Sequence, residues 1–178
     1  MSNEKVNSIV AKYKLIPHPE GGFFAETHRS TFTLTRPADG AIRSAATSIL
    51  YLLPAGKRSA LHRIKSTELW YYHGGGSLTV FELKEDGQVV KTVLGSGKNE
   101  VVFHTVEAGV YFGASVPIDD SEGYALVSCV VAPGFDFQDW DMPSSQELRD
   151  GVKGDGEVRD KIIRTMSKDA LMDANPFE

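Results

Sequence analysis

A single cysteine, Cys129, is all the thiol chemistry that this chain of 178 residues carries. One thiol closes no intramolecular disulfide and builds no structural zinc site alone. Cys129 sits in the apolar run Ala125–Val131, which predicts a small buried residue, since a reactive thiolate needs a base beside it. Basic clusters are equally scarce. The longest Lys/Arg run is the pair Lys57-Arg58, and the net charge is −5. Nucleic acid and anionic membrane surfaces both demand a concentrated basic face, so neither is the expected partner. No apolar stretch approaches the ~18 residues of a membrane span. Residues 1–5 show no apolar segment behind a basic start, so no secretory leader is read there and the expectation is a cytoplasmic protein.

What remains is an ordinary globular composition, 41% hydrophobic and 24% charged, long enough for one sizeable core. Val6, Ile9, Val10 and Tyr13 recur at helical spacing and predict a short helix over 4–15, stopped by Pro17 and Pro19 before a turn at Gly21-Gly22. Short β-rich runs then alternate with Gly, Pro and Asp turns, over 23–27, 45–53, 67–72, 77–83, 88–94, 100–106, 109–116 and 124–131. Asp86-Gly87 between two of them is the clearest hairpin signal. Regularly spaced strands without intervening helices argue for an all-β sandwich or barrel. Ser144-Ser145-Gln146-Glu147 reads as a helix start, and Val158, Ile162 and Ile163 as one face of a further helix. The expected division is an N-terminal helix over 1–14, a β domain over 15–141, a helical segment over 142–166 packed on it, and a flexible tail over 167–178.

The chemistry concentrates between Gly56 and Gly75, at His62, Ile64 and Glu68. Alternate residues of a strand face one side, so His62 and Ile64 share a face, and Glu68, Trp70 and Tyr72 share one on the next strand. The spacing resembles the first motif of the cupin superfamily, with Ile64 where a second histidine stands. The second motif resembles Glu107, Gly109 and Phe112, keeping the glycine and lacking the proline and the histidine. A jelly roll aims such faces into one cavity. In metal-binding cupins the two motifs supply three histidines and a carboxylate. Here two of the four places are Ile64 and Phe112, so no metal cofactor is expected, the alternative being a divalent ion recruited at His62 and Glu68. His62 is the candidate general base, because imidazole takes and returns protons near neutral pH. Glu68 is the candidate to orient it or act as partner acid, and Tyr72 the candidate acid on the opposite face. Ile64, Trp70 and Phe112 are expected to wall an apolar pocket, with Arg63 to attract an anionic group of the ligand. Glu20 and Glu26 read as structural, and Gly74-Gly75-Gly76 as a turn that lacks the features of a phosphate loop.

A narrower likeness rests on four segments: His18-Pro19-Glu20-Gly21-Gly22-Phe23-Phe24-Ala25-Glu26-Thr27, Thr47-Ser48-Ile49-Leu50-Tyr51-Leu52-Leu53, Ser59 through Trp70, and Val131-Ala132-Pro133-Gly134-Phe135-Asp136-Phe137. Together they resemble an uncharacterised cupin family, a domain of unknown function also called cupin family five, over about residues 13–166. Glu107 in place of a proline and Tyr111 in place of a frequent tryptophan are small departures. The resemblance implies an all-β, double-stranded β-helical jelly roll paired into a homodimer through its sheets, and no established reaction. More distantly, Leu61-His62 is similar to the catalytic histidine context of the nucleotide-sugar 3,5-epimerases, although the glutamine of that context is absent. The expectation is a protein that binds a small sugar-like or apolar-ring molecule, as a metal-independent isomerase or epimerase with His62 as base. The alternatives are a non-catalytic binding module and a metal-dependent enzyme.

Overall fold

The computed structural model describes residues 2–154 and 156–172. The chain opens with helix α1 (Ser2–Tyr13) and continues through β1 (Ile16–Pro17), β2 (Phe23–Arg29), β3 (Thr33–Thr35), β4 (Ile42–Ser44), β5 (Thr47–Pro54), β6 (Arg58–Ile64), β7 (Thr67–Gly75), β8 (Leu78–Leu83) and β9 (Val89–Leu94). Then come β10 (Phe103–Val106), β11 (Tyr111–Ser115), β12 (Tyr124–Ala132), a 3-10 turn (Phe137–Asp139) and β13 (Trp140–Asp141), followed by α2 (Ser145–Gly151), α3 (Glu157–Met166) and α4 (Lys168–Met172). Six strands form one antiparallel sheet in the order β1-β2-β5-β12-β7-β10, and five form a second in the order β13-β6-β11-β8-β9. This is the expected all-β jelly roll. Strands 3 and 4 pair separately as a hairpin that the sequence reading did not contain.

Alternation within strands builds the core. Ala125, Val127, Cys129 and Val131 of β12 point inward to meet Val80 of β8 and Phe112 and Ala114 of β11, in one buried cluster between the sheets. The outward faces are covered by helices. On the six-stranded side, Val6 of α1 and Leu15 pack on Leu52. On the other, Leu148, Ile162, Ile163 and Met166 of α2 and α3 cover Leu61 and Leu83. Helix α2 starts where the sequence placed a helix start, and the start is a capping box, with the Ser144 side chain on the Glu147 amide and the Glu147 carboxylate on the Ser144 amide. The Asp86-Gly87 turn joins β8 to β9, with Gly87 at φ +86°, a conformation that glycine adopts without steric cost.

The tail expected from residue 167 to be loose is held as far as α4: Ser167 and Ala170 are buried, and Arg58 of β6 donates to the Ala170 carbonyl. A backbone acceptor that meets a guanidinium fixes the segment more firmly than its polar composition suggested. Residues 173–178 of that expected tail lie outside the described residues. Among the described residues no helix is long and apolar enough to cross a membrane.

Candidate ligand cavity between the sheets

A cavity of about 280 Å³ opens between the sheets at the end where β2, β5 and β12 meet β6 and β7. Its inner wall carries His62 and Ile64 from β6, Glu68 and Trp70 from β7, and Cys129 and Val131 from β12. Its mouth is set by Arg29 and by Phe135, Asp136 and Phe137, the segment that follows β12. Strand parity therefore delivers His62, Ile64, Glu68 and Trp70 to one hollow. Phe112 lies behind His62, with ring centroids 4.1 Å apart, and meets Trp70 edge-on.

Phe112, expected as a wall, is thus behind the lining and not part of it, and two further expected residues fall elsewhere. Arg63 lies on the outer face with Leu61, where its Nε donates to Asp141 at 2.8 Å and its guanidinium stacks over Tyr111. One residue's step along a strand reverses the face, so Arg63 cannot share a wall with His62. Tyr72 has the inward parity but not the depth. Four residues beyond Glu68 is ~13 Å along a strand, and its hydroxyl donates to the Gly75 carbonyl at 2.6 Å. Tyr72 is not the acid of this cavity.

The residue that the sequence reading set aside as structural, Glu20, provides the carboxylate beside His62. Its Oε1 lies 3.3 Å from His62 Nε2. The turn His18–Gly22 brings it there. His18 N–H donates to the Gly22 carbonyl and Gly21 N–H to that of His18, both at 3.0 Å. Gly22, at φ +71°, passes so close to Leu52 that a Cβ would stand 2.6 Å from its carbonyl oxygen, so only glycine fits. The turn is tied to β6 by Ala60 N–H donating to the Glu20 carbonyl at 2.9 Å. The side chain then receives Ser59 Oγ–H at 3.0 Å and Trp140 Nε1–H at 2.7 Å. A buried carboxylate is tolerated because donors surround it. The motif His18-Pro19-Glu20-Gly21-Gly22 was visible in the sequence as a turn, but nothing local showed that it folds onto His62.

His62 is held equally firmly. Its Nδ1 lies 2.8 Å from the Ala60 carbonyl oxygen. A carbonyl only accepts, so Nδ1 carries the hydrogen and Nε2 is the nitrogen free to exchange a proton with what lies before it. Glu68, 7% exposed, makes no hydrogen bond to His62 among the described residues; the Cys129 thiol is its polar neighbour. Burial, reinforced by the Glu20 charge and opposed by the thiol, pushes the Glu68 carboxyl up to about 8. It is therefore a proton donor at neutral pH. Burial likewise lowers His18, against the pull of Glu20, and keeps that imidazole neutral. Trp70, 2% exposed, leaves its indole N–H without a partner. The cavity thus combines a carboxylate–imidazole pair, a neutral carboxylic acid and apolar walls.

The mouth is braced from behind. Asp139 accepts from Arg36 (2.8 and 2.9 Å) and from Arg43 (2.8 and 2.9 Å), clamping the β3–β4 hairpin to the segment that carries Phe137 and Trp140. Both arginines flank the hairpin's turn, so the element absent from the sequence reading is the one that fixes the mouth.

The family profile described as Cupin superfamily (DUF985) matches residues 7–143. The uncharacterised protein YML079W of Saccharomyces cerevisiae is 33% identical over 150 residues, covering 75% of this chain and 73% of its own length. A hypothetical protein from Leishmania major superposes with a TM-score of 0.82 at 30% identity, over 90% of this chain and 97% of that one. Protein SO0799 from Shewanella oneidensis gives 0.77 at 29% identity, over 90% and 96%. Many proteins of this fold hold a divalent metal, which the residues here do not fit. Ile64 and Phe112 offer no donor atoms, and the Glu20 carboxylate is taken up by Ser59 and Trp140. Among the described residues no three His, Cys, Asp or Glu side chains group as a metal site, and mononuclear sites ordinarily need three or four ligands.

Proposed function

The chain belongs to the cupin superfamily, in the family of unknown function DUF985, and from that starting point we propose that it binds a small carbonyl-bearing molecule between its sheets and moves a proton on it without a metal, as an isomerase or epimerase does. The observation that carries this reading is the His62–Glu20 pair, with Nε2 3.3 Å from the carboxylate and Nδ1 fixed on Ala60. His62 Nε2 removes a proton from the carbon next to the carbonyl, and the electron pair moves onto the carbonyl oxygen. Glu20 offsets the positive charge that forms on the ring. Glu68, protonated at neutral pH, donates to the developing enolate oxygen. On an α-hydroxy carbonyl ligand the enediol collapses as the imidazolium delivers its proton to the former carbonyl carbon and the other enediol hydroxyl returns a proton to Glu68, so both groups are regenerated and the carbonyl has moved by one carbon. The apolar walls of Ile64, Trp70 and Val131 exclude water and strengthen each of these charge interactions.

The test is solvent exchange. Small keto-sugars and cyclic ketones are incubated with the protein in D2O and followed by proton NMR. Deuterium should enter the carbon next to the carbonyl, and His62→Asn should lower the rate by at least ~100-fold, the scale of general base catalysis. Saturable binding with no exchange in the wild type would leave a non-catalytic binding module.

The same reading includes a cytoplasmic homodimer. Tyr71 and Phe103 face each other across β7 and β10 on the outer side of the six-stranded sheet, 41% and 61% exposed. β10 is also an edge strand, and edges of open sheets are commonly covered by a second copy. Sedimentation should give the mass of two 19.5 kDa chains, and a single-chain mass at micromolar concentration would refute the pairing.

A further inference from the structure

A second concavity lies outside the sandwich, where α3 runs along the outer face of the five-stranded sheet. It is a groove of about 500 Å³. Phe81, Val116, Ile162 and Met166 make its floor. Ile118 and Val158 make an apolar rim and are 85% and 54% exposed. The charges around it are all of one sign: Lys57, Arg58, Lys91 and Lys161 line it, with no acidic side chain among the lining residues. The chain as a whole has 24 acids against 19 Lys and Arg, so the groove inverts the sign of the molecule. Arg58 spends one N–H on the Ala170 carbonyl, and Lys91 stands 5.7 Å over the Phe81 ring. Lys57, Lys91 and Lys161 have no carboxylate partner among the described residues.

Unpaired cations gathered at one place repel one another, and an anion that enters relieves that repulsion. Exposed apolar side chains beside them add area that water solvates poorly. A concave groove suits one chain lying in it better than a flat lipid surface, which favours an amphipathic face. We propose that this groove binds a small amphiphilic anion, a carboxylate on a single aliphatic chain, with the head group among Lys57, Lys91 and Lys161 and the chain along Phe81, Ile118 and Ile162. The site is independent of the cavity between the sheets and of any reaction there.

The experiment uses the full chain and sodium decanoate below its micellar concentration, followed by calorimetric titration and by methyl NMR. Saturable one-site binding is expected, with shifts at the methyls of Ile118, Val158 and Ile162. Lys91→Glu and Lys161→Glu, both exposed positions, should each weaken it about tenfold or more. Decanol, which lacks the charge, should bind at least ~10-fold more weakly. The proposal is overturned by absence of saturation, by equal affinity for decanol, or by shifts confined to Ile64 and Val131 of the inner cavity. Adsorption to phosphatidylglycerol vesicles without decanoate binding would also overturn it, in favour of a membrane contact.

Discussion

Trp140 Nε1 donates at 2.7 Å to the same Glu20 oxygen that faces His62 Nε2 at 3.3 Å. One carboxylate oxygen thereby links the mouth of the cavity to its base. The indole fixes where the negative charge sits, and so fixes which nitrogen of His62 feels it.

Trp140→Phe keeps the ring and removes the donor. Loss of a hydrogen bond to a charged group is expected to cost about 1.5–3 kcal/mol, measured by urea unfolding. Amides of the His18–Gly22 turn should exchange faster in this variant. Unchanged stability and exchange would mean that Ser59 alone holds Glu20.

Glu68 makes stability depend on pH. Its carboxyl binds a proton more tightly folded than unfolded, with the value pushed from 4.5 to about 8 by burial. Its contribution is therefore fully present below about pH 4.5 and is lost as pH rises through about 8. Urea midpoints should fall across that window in the wild type, and Glu68→Gln should flatten the fall. A wild-type midpoint that rises from pH 5 to 8 to the same extent in both proteins would contradict the assignment.

Asp139→Asn removes the charge that Arg36 and Arg43 share. Arg36 and Asp139 are both buried, but Arg36 keeps a second carboxylate, Asp39, at 2.7 Å, so the loss is expected to fall below the roughly 3–5 kcal/mol of a buried pair broken with no other partner. Calorimetry should show the loss, and hydrogen exchange should show early opening of β3 and β4. If the hairpin keeps its protection, the clamp is not what holds it.

Tyr72→Phe separates parity from proximity. The variant loses the hydroxyl's bonds to Gly75 and Ser96, worth about 1 kcal/mol each, and should leave deuterium exchange on a carbonyl ligand within about twofold of wild type. A loss comparable to that of His62→Asn would restore Tyr72 to the chemistry.

The fold was legible because its signals are local. Asp86-Gly87 sets one hairpin, Ser144 and Glu147 set one helix start, and alternation sets the inward faces of β6, β7 and β12. Site residues were legible only as far as alternation reaches. It placed His62, Ile64, Glu68 and Trp70 in one hollow; Arg63 was added to them for its charge alone, although alternation turns it outward. It assigns a face and says nothing of depth, which is why Tyr72 was grouped with the cavity. Glu20 was out of reach for a different reason. Its donor Trp140 lies 120 residues away, and its turn reads as punctuation. The three-residue strands 3 and 4 are too short to show a period, although Arg36 and Arg43 beside them brace the mouth.

The donors and acceptors of the cavity come from opposite ends of the chain, Glu20 before the second strand and Trp140 after the twelfth. During synthesis the ribosome releases Glu20 and His62 long before the indole emerges. A nascent chain ending before residue 140 lacks the indole donor to Glu20 Oε1 and keeps only the Ser59 hydroxyl on that carboxylate. The last donor of this carboxylate is thus made after every strand that lines the cavity.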